Sequence, residues 1–385
     1  MTSRDSIIRR SISRLEATSK PAQVALVIVI LTSASASGQS MFLGGGYVLG
    51  NRAAGMSAYV ADPDFAHAVI LNPAKLSFAE TVYAASDYEY FSRDVGLLFL
   101  PSTPSDYLSS GELSAWDASF AMPVGPVGAG ASFSAFDLAG WRTTLSAVGA
   151  AVRMPFGFSL GVTGKYITLR RPEVIPGGMG KSSFEKFTFD LGAMNRAVLA
   201  NTTFFQAILS SGVVFSNILP GVTWTQDGAS SGNLLNTPAN LPQTLQCGIA
   251  YTFASNYRLS DFELFRVTGA IDYSHLFSKS SPIDGFTFQR DQYRIGLETV
   301  ALGILAVRIG YTLKTPVVMG EDLYNNLTIS RMGSGVSYGF SLRFPVKLVL
   351  PALPVTSMEL SYAKNPEWNS GAYHDLFGAV MEMLF

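Results

Sequence analysis

Few residues of this 385-residue sequence stand at spacings that support catalysis. The segment PGGMGKSS, residues 176–183, is similar to a phosphate-binding loop, but that motif requires a glycine at the position of Ile175. The three histidines, His67, His275 and His374, share no metal-ligand spacing. The sequence therefore predicts no enzyme, no metal centre and no cofactor.

Charged residues instead recur on one face of segments in which polar and apolar residues alternate. In LQCGIAYTF, residues 245–253, the large apolar side chains share one face and the small or polar ones share the other. The charged residues of such segments are acids (Asp87, Asp117, Asp190, Asp272, Glu298, Glu359) and bases (Lys165, Lys186, Arg266, Arg294, Arg308, Arg343) in equal number. On a lipid-facing surface each charge would cost about 2–4 kcal/mol at the membrane midplane.

Acids and bases in such balance can neutralise one another inside a closed barrel. We therefore predict a polar network in the lumen, formed by Asp117, Lys165, Asp190, Arg266, Asp272, Arg294, Glu298, Arg308 and Arg343.

The composition favours a membrane β-barrel as the element that positions these side chains. Charged residues make up 14% of the chain, against about 25% in soluble domains. No segment after residue 40 has the 18 consecutive apolar residues of a membrane-spanning helix. A net charge of −1 argues against a nucleic-acid partner. The predicted fold is all-β: a transmembrane antiparallel barrel of about 14 strands over residues 80–385.

Short turns and long connections should alternate along such a barrel, with the short turns on the periplasmic side. The predicted strands are 80–100 (bent near residue 93), 113–122, 126–136, 143–154, 157–170, 184–196, 204–217, 243–254, 262–277, 287–300, 303–315, 333–346, 354–363 and 372–385.

The first residues indicate export. Basic residues precede an apolar run, 21–32, that is too short to span a bilayer, and Ala34-Ser35-Ala36 offers a cleavage site. We predict a signal peptide over residues 1–36. The single cysteine, Cys247, excludes an intrachain disulfide.

The last segment, LFGAVMEMLF, alternates and ends on an aromatic residue, Phe385. It resembles the C-terminal strand of bacterial outer-membrane barrels, which the barrel-assembly machinery recognises. Phe385 is therefore the predicted assembly signal, and the predicted location is the bacterial outer membrane.

The segment between leader and barrel, NRAAGMSAYVADPDFAHAVILNPAKLS, resembles the N-terminal motif of the PorV/PorQ family, within the superfamily of FadL-like long-chain fatty acid transport proteins. The resemblance implies a small hatch over residues 37–79 that plugs the lumen. The residues that carry the motif are Arg52, Gly55, Met56, Asp62, Asp64, Asn72, Pro73 and Ala74. Ser57 and Lys75 depart from it, since glycine is usual at both positions.

The resemblance extends through later segments, among them FSLGVTGKYI, SSGVVFSNILPG and YRIGLETVALGILAVRIGY. It implies two alternative functions. One is transport of hydrophobic small molecules across the outer membrane, through the lumen or through a gap in the wall, for which the segment 80–100 and the glycine-rich strand 125–134 are candidates. The other is a PorV-like assembly or cargo-binding role in type IX protein secretion, without solute transport. The implied partners are outer-membrane lipid and either a hydrophobic ligand or a secreted protein.

Deletion of Phe385 tests the C-terminal signal. We expect the shortened protein to assemble less well, because the machinery would lose the terminal aromatic residue. The heat-modifiable electrophoretic migration of outer-membrane fractions measures this. Unchanged amounts of the folded form in the deletion variant would contradict the prediction.

Overall fold

All structural statements concern the residues that the computed structural model describes. These are 50–62, 64–91, 113–138, 141–171, 182–219, 221–223, 225–226, 238–241, 243–259, 262–277, 291–314, 334–350, 353–366 and 373–383. The predicted leader (1–36), the first part of the predicted hatch (37–49) and Phe385 lie outside them.

Fourteen long strands form the body of the described structure. They are β1 (Val82–Phe91), β2 (Leu113–Val124), β3 (Val127–Leu138), β4 (Trp141–Arg153), β5 (Phe158–Arg171), β6 (Ser182–Asn201), β7 (Phe205–Ser216), β8 (Thr244–Ser255), β9 (Phe265–Leu276), β10 (Asp291–Ala301), β11 (Leu305–Lys314), β12 (Gly335–Phe344), β13 (Val355–Pro366) and β14 (Tyr373–Met383).

The strands close into an antiparallel barrel. Each pairs with the next along the chain, and β1 pairs with β14, from Val82 opposite Met383 to Tyr90 opposite Asp375. The prediction of a barrel of about 14 strands is confirmed. Closure removes the free edges that an open sheet would expose.

Most described strands match the predicted segments to within a few residues, and the part of the predicted strand 80–100 beyond Phe91 lies outside the described residues. β6 continues to Asn201, five residues beyond its predicted end, and its pairing with β7 shifts register between Val198 and Ala200. The glycine-rich strand β3 pairs continuously with both neighbours, so the prediction of a gap in the wall at 125–134 is wrong for this strand. Glycines weaken a strand, but here the ladder hydrogen bonds of β3 remain complete on both sides.

The wall has a polar inner face and an apolar outer face. In β8, Gln246 and Thr252 face inward and are buried, whereas Ile249 and Tyr251 point outward and are 58% and 46% exposed. Ile249 pairs with Ile271, which pairs with Ile295, so exposed apolar side chains form rows around the outside.

The two ends of the barrel differ. Tight turns follow β2, β4, β6 and β10, and we call this end the turn end. β1 begins there and β14 ends there. Positive φ angles at Gly125, Phe156, Leu302 and Gly303 allow three of the reversals. The opposite, loop end carries the longest connections, although only two residues separate β3 from β4 there. None of the helices in the described stretches is long and apolar enough to cross a membrane.

Cys247 tests the register of the wall, because it points outward in phase with Ile249. We expect a membrane-impermeant maleimide to label it slowly in outer-membrane fragments and a lipid-soluble maleimide to label it readily. A cysteine at Phe156, which is 96% exposed on a turn, provides the control in a Cys247→Ser background and should react with both reagents. Fast labelling of Cys247 by the impermeant reagent would refute the register.

Candidate functional site

Residues 50–62 and 64–81 cross the inside of the barrel. They include the described part of the predicted hatch, and from here on we call them the hatch. The hatch contains two short helices, α1 (Asn51–Met56) and α2 (Ala68–Leu71), and a 3-10 helix over Pro73–Phe78. The side chain of Asn72 starts the 3-10 helix by accepting a hydrogen bond from the backbone N–H of Ala74 at 3.1 Å. Its amide also donates to the Val60 carbonyl at 3.0 Å, which ties the two halves of the hatch together.

Inward-facing glycines let the hatch lie directly against the wall. We call this set the glycine belt; it comprises Gly128, Gly130, Gly149, Gly161, Gly192, Gly212, Gly248, Gly296, Gly310 and Gly339. A Cβ atom at Gly212 would stand 2.8 Å from the Val60 carbonyl oxygen, and one at Gly296 would overlap the carbonyl oxygen of Met56. A side chain at most of these positions would collide with the hatch, whereas one at Gly339 would meet Tyr362 and Ala363 of β13.

Apolar contacts between hatch and wall use small residues on both sides. Met56, Ala58 and Ala61 of the hatch pack against Ala250 and Ala270 of the wall. A second cluster joins Ala68, Val69 and Leu76 to three alanines of β2 and β4. The hatch therefore shares its apolar core with the wall.

Glu298 on β10 is the centre of a buried ion-pair network. Its carboxylate binds Arg52 of the hatch at 2.8 Å, Arg308 at 2.8 Å and Arg266 at 3.1 Å. Arg308 also binds Glu359 at 2.8 Å. Burial alone would lower the pKa of Arg52, but Glu298 and Asp62 outweigh it and raise that pKa above its ordinary value. Arg52 is the hatch residue that joins this network.

Other polar groups of the hatch find partners inside the hatch itself. Asp62 binds the buried Lys75 at 2.8 Å and Arg52 at 3.4 Å. Lys75 also donates to the carbonyl oxygen of Tyr59. The lysine that departs from the family motif thus neutralises an acid of that motif, since both side chains are removed from water.

A second attachment lies on β9 and β10. The carboxylate of Asp272 accepts the backbone N–H groups of Tyr59 at 2.5 Å and Val60 at 2.9 Å. The guanidinium of Arg294 lies 4.8 Å from the centre of the Tyr59 ring, a cation–π contact. Both strand residues therefore bind the hatch in this region.

A third cluster surrounds His67 beside β1 and β2. Its Nε2 lies 2.6 Å from Asp87 and 3.8 Å from Asp117, and its Nδ1 lies 3.4 Å from Asp64. Burial by itself lowers the pKa of His67, but the charges of Asp87 and Asp64 outweigh it and raise that pKa well above its ordinary value. The carboxylates therefore attract positive charge at this point.

The remaining predicted site residues are distributed around these clusters. Lys165 and Asp190 form an ion pair of their own between β5 and β6. Arg343 binds Glu359 at 3.3 Å at the edge of the Glu298 network. Gly55 lies against Arg308, and Pro73 lies against Gly161 and Gly192 of the belt. Ala74 accepts a hydrogen bond from Ser159 on the wall at 2.8 Å.

The segment GVSYG, residues 335–339, has the spacing of a serine-nucleophile motif but lies within β12. That motif requires a sharp turn from a strand to a helix. The Ser337 hydroxyl lies 2.6 Å from that of Ser57 and donates to the Gly55 carbonyl at 3.1 Å. Ser337 thus attaches the hatch to the wall.

Two spaces of opposite character lie on the two faces of the wall. Towards the turn end, a cavity of about 410 Å³ is lined by charged residues, including Glu80, Arg196 and Glu382. On the outer face, behind the wall strands that support the hatch, an open apolar hollow of about 1080 Å³ is lined by residues such as Ile249 and Ile295. Space inside the described lumen is polar, and apolar space lies outside.

Three features of the site are absent from the sequence predictions. His67 was predicted to have no ligand role, and Lys75 was noted only as a departure from the motif. The contact between the belt glycines and the hatch was not predicted. The alternation of polar and apolar residues contains a sequence signal for the belt, because many of these glycines fall on the polar faces of the predicted strands. Nothing in the sequence brings His67 next to Asp87 and Asp117.

Neither the known protein families nor the curated proteins give a match to the sequence. Similar solved structures include the CymD monoaromatic hydrocarbon channel, with 12% identity, 87% of this chain and 97% of that chain covered, and a TM-score of 0.45. A FadL homologue of Pseudomonas aeruginosa has 13% identity, coverage of 90% and 99%, and a TM-score of 0.41. The Pseudomonas putida toluene transporter TodX has 11% identity, coverage of 89% and 97%, and a TM-score of 0.43.

At these identities and TM-scores, the likenesses decide neither the ligand nor the family of the chain. The PorV/PorQ resemblance stays a prediction. Strand pairing and the lumen contacts themselves define the class: a closed 14-stranded antiparallel barrel with a hatch seated on its inner wall.

Gly296→Ala tests the seat of the hatch. We expect the added methyl group to collide with Met56 and to cost about 1–3 kcal/mol, as overpacking does. Urea unfolding of the purified barrel measures the cost, and protease cleavage near residue 60 reports release of the hatch.

Gly269→Ala is the matched control. Gly269 lies on the adjacent strand and faces outward, where a Cβ atom would meet nothing within 4 Å. It should leave both readouts unchanged or raise stability slightly. Equal behaviour of the two variants would show that the belt does not seat the hatch.

Proposed function

We propose that the protein is an outer-membrane β-barrel that takes part in moving hydrophobic small molecules across that membrane, with the hatch as its gate. The observation that carries the proposal is the hatch itself, which fills the lumen and is held by non-covalent contacts. A plug held by ion pairs, hydrogen bonds and small apolar contacts can be displaced without breaking a covalent bond.

The placement in a membrane is supported by the polarity of the wall. Ile249, Ile271, Ile295 and Ile309 are each more than half exposed on the outer face, whereas Asp272, Arg294, Glu298 and Arg308 are almost completely buried inside. A protein in water would expose the second set and bury the first. In a bilayer the arrangement is favourable, because lipid covers the apolar rows and the charges pair in the lumen.

Movement of the hatch is central to the proposed transport. The space described inside the lumen is polar and the wall is continuous through β3, so an apolar solute has no favourable route past the seated hatch. Such a route would open if Arg52 left Glu298 and the backbone of Tyr59 and Val60 left Asp272.

A second candidate function is a PorV-like assembly or cargo-binding component of type IX secretion. The close fit of the hatch favours it, because Ala53, Met56, Val60 and Ala74 are completely buried and the belt holds the hatch backbone against the wall. A permanently seated hatch would give a rigid platform for protein cargo.

A reversible disulfide between hatch and wall distinguishes the two functions. The hydroxyls of Ser57 and Ser337 lie 2.6 Å apart, so the double variant Ser57→Cys, Ser337→Cys in a Cys247→Ser background should lock the hatch when oxidised. Cellular uptake of a radiolabelled long-chain fatty acid and of a radiolabelled monoaromatic hydrocarbon is measured before and after reduction. We expect uptake to fall on oxidation and to recover with reductant.

The matched control places cysteines at Ser119 and Ser132, whose hydroxyls lie 3.1 Å apart on neighbouring strands of the wall. That bridge leaves the hatch free, so uptake should persist. If uptake of both compounds is the same with and without the protein, the transport function is wrong and the cargo function remains. If uptake requires the protein but ignores the lock, the hatch is not its gate.

A further inference from the structure

We propose that His67, Asp87 and Asp117, with Asp64 beside them, bind a divalent transition-metal ion that links the hatch to the wall. His67 and Asp64 belong to the hatch, Asp87 to β1 and Asp117 to β2. The inference concerns the attachment of the hatch and is independent of what the barrel transports.

The geometry is that of a compact ligand set. One ligand atom each from His67, Asp87 and Asp117 lies within 4.8 Å of the others. Zinc holds nitrogen and carboxylate oxygen at about 2.0–2.2 Å, so ligand atoms on one ion stand up to about 4 Å apart. To bind an ion, Asp117 would rotate toward the imidazole from 3.8 Å, and Asp87 would move back from its 2.6 Å contact with Nε2, because two ligand atoms on one ion stand about 3–4 Å apart.

The imidazole is the observation that points to a ligand. His67 is 98% buried and turns Nε2 toward the carboxylates of Asp87 and Asp117. Asp64 faces the other ring nitrogen, Nδ1, at 3.4 Å, so it would orient the imidazole from behind and would not bind the same ion. The nitrogen and the two carboxylates on the Nε2 side are the donor types of a metal site.

Charge supports the same conclusion. Asp87 and Asp117 are directly opposite each other on neighbouring strands and both are buried, an arrangement that like charges disfavour. Asp64 adds a third carboxylate. The nearest cations of the hatch, Arg52 and Lys75, bind Asp62 and Glu298 instead. A divalent ion would neutralise more of this charge than one imidazolium can.

The donor types select the class of metal. Imidazole nitrogen suits zinc, iron, copper and nickel, and carboxylate oxygen suits manganese, calcium and magnesium. One imidazole with two carboxylates therefore fits Zn²⁺ or Mn²⁺. Bound there, the ion would fasten the hatch to β1 and β2, in addition to the Glu298 network, which involves β9 to β13.

Metal binding by the purified full-length protein tests the proposal. The protein is isolated in detergent with a tag that contains no histidine, stripped with a chelator and titrated with Zn²⁺ and with Mn²⁺ by calorimetry. Metal retained after gel filtration is counted by mass spectrometry. We expect one ion per chain in the wild type and loss of binding in His67→Ala and in Asp117→Asn, which keeps the shape of the side chain.

His275→Ala is the matched control. This histidine lies 2.7 Å from Asp291 on the outer face, so it also pairs with a carboxylate but lies outside the proposed site, and the variant should keep the ion. Heat-modifiable migration verifies that each variant is folded. Bound metal should also slow protease cleavage near residue 60 in the wild type and not in His67→Ala.

Two results would overturn the proposal. In the first, the wild type binds neither ion, and the cluster is then a protonated histidine among carboxylates. In the second, folded His67→Ala and Asp117→Asn bind metal with unchanged stoichiometry and affinity, and the ion is then held elsewhere.

Discussion

The structure depends on one steric constraint: some 30 residues of chain must share the lumen with the inward side chains of fourteen strands. The wall meets this constraint by having no side chain at the points of contact. Glycines such as Gly212 and Gly296 let the hatch backbone approach the strand backbone directly. Alanines fill the remaining contacts. Close packing of this kind tolerates little added volume, so it fixes both the depth and the path of the hatch.

Seating the hatch against the wall removes polar groups of both from water, and this explains the ion pairs. A buried charge without a partner costs several kcal/mol, so each must find one locally. Glu298 serves three arginines, of which Arg52 is contributed by the hatch. Asp272 accepts hydrogen bonds from the backbone N–H groups of Tyr59 and Val60, which lie outside the helices of the hatch. Around His67 the balance is acidic, which distinguishes that side of the lumen.

The outer face of the wall is apolar, in contrast to the polar lumen. Its apolar rows are favourable where lipid replaces water, and the hollow behind the hatch strands adds apolar concave surface to them. The molecule thus keeps apolar surface outside and polar surface inside. In the proposed transport function, a hydrophobic solute and the seated hatch would compete for one route, whereas in the alternative function a secreted protein would need only the rigid barrel.

The sequence by itself predicted an antiparallel barrel of about 14 strands and placed charges such as Glu298 and Arg308 on its inner face. These follow from a period of two residues, which is local and can be read from segments such as 245–253. It could not determine which charges meet. His67 is 20 positions from Asp87 and 50 from Asp117, and the register of β1 against β2 places the two acids opposite each other. Ion pairing between Arg52 and Glu298 likewise depends on how closely the hatch approaches the wall. The tertiary structure decided this, because the belt glycines set that distance only after the strands have paired.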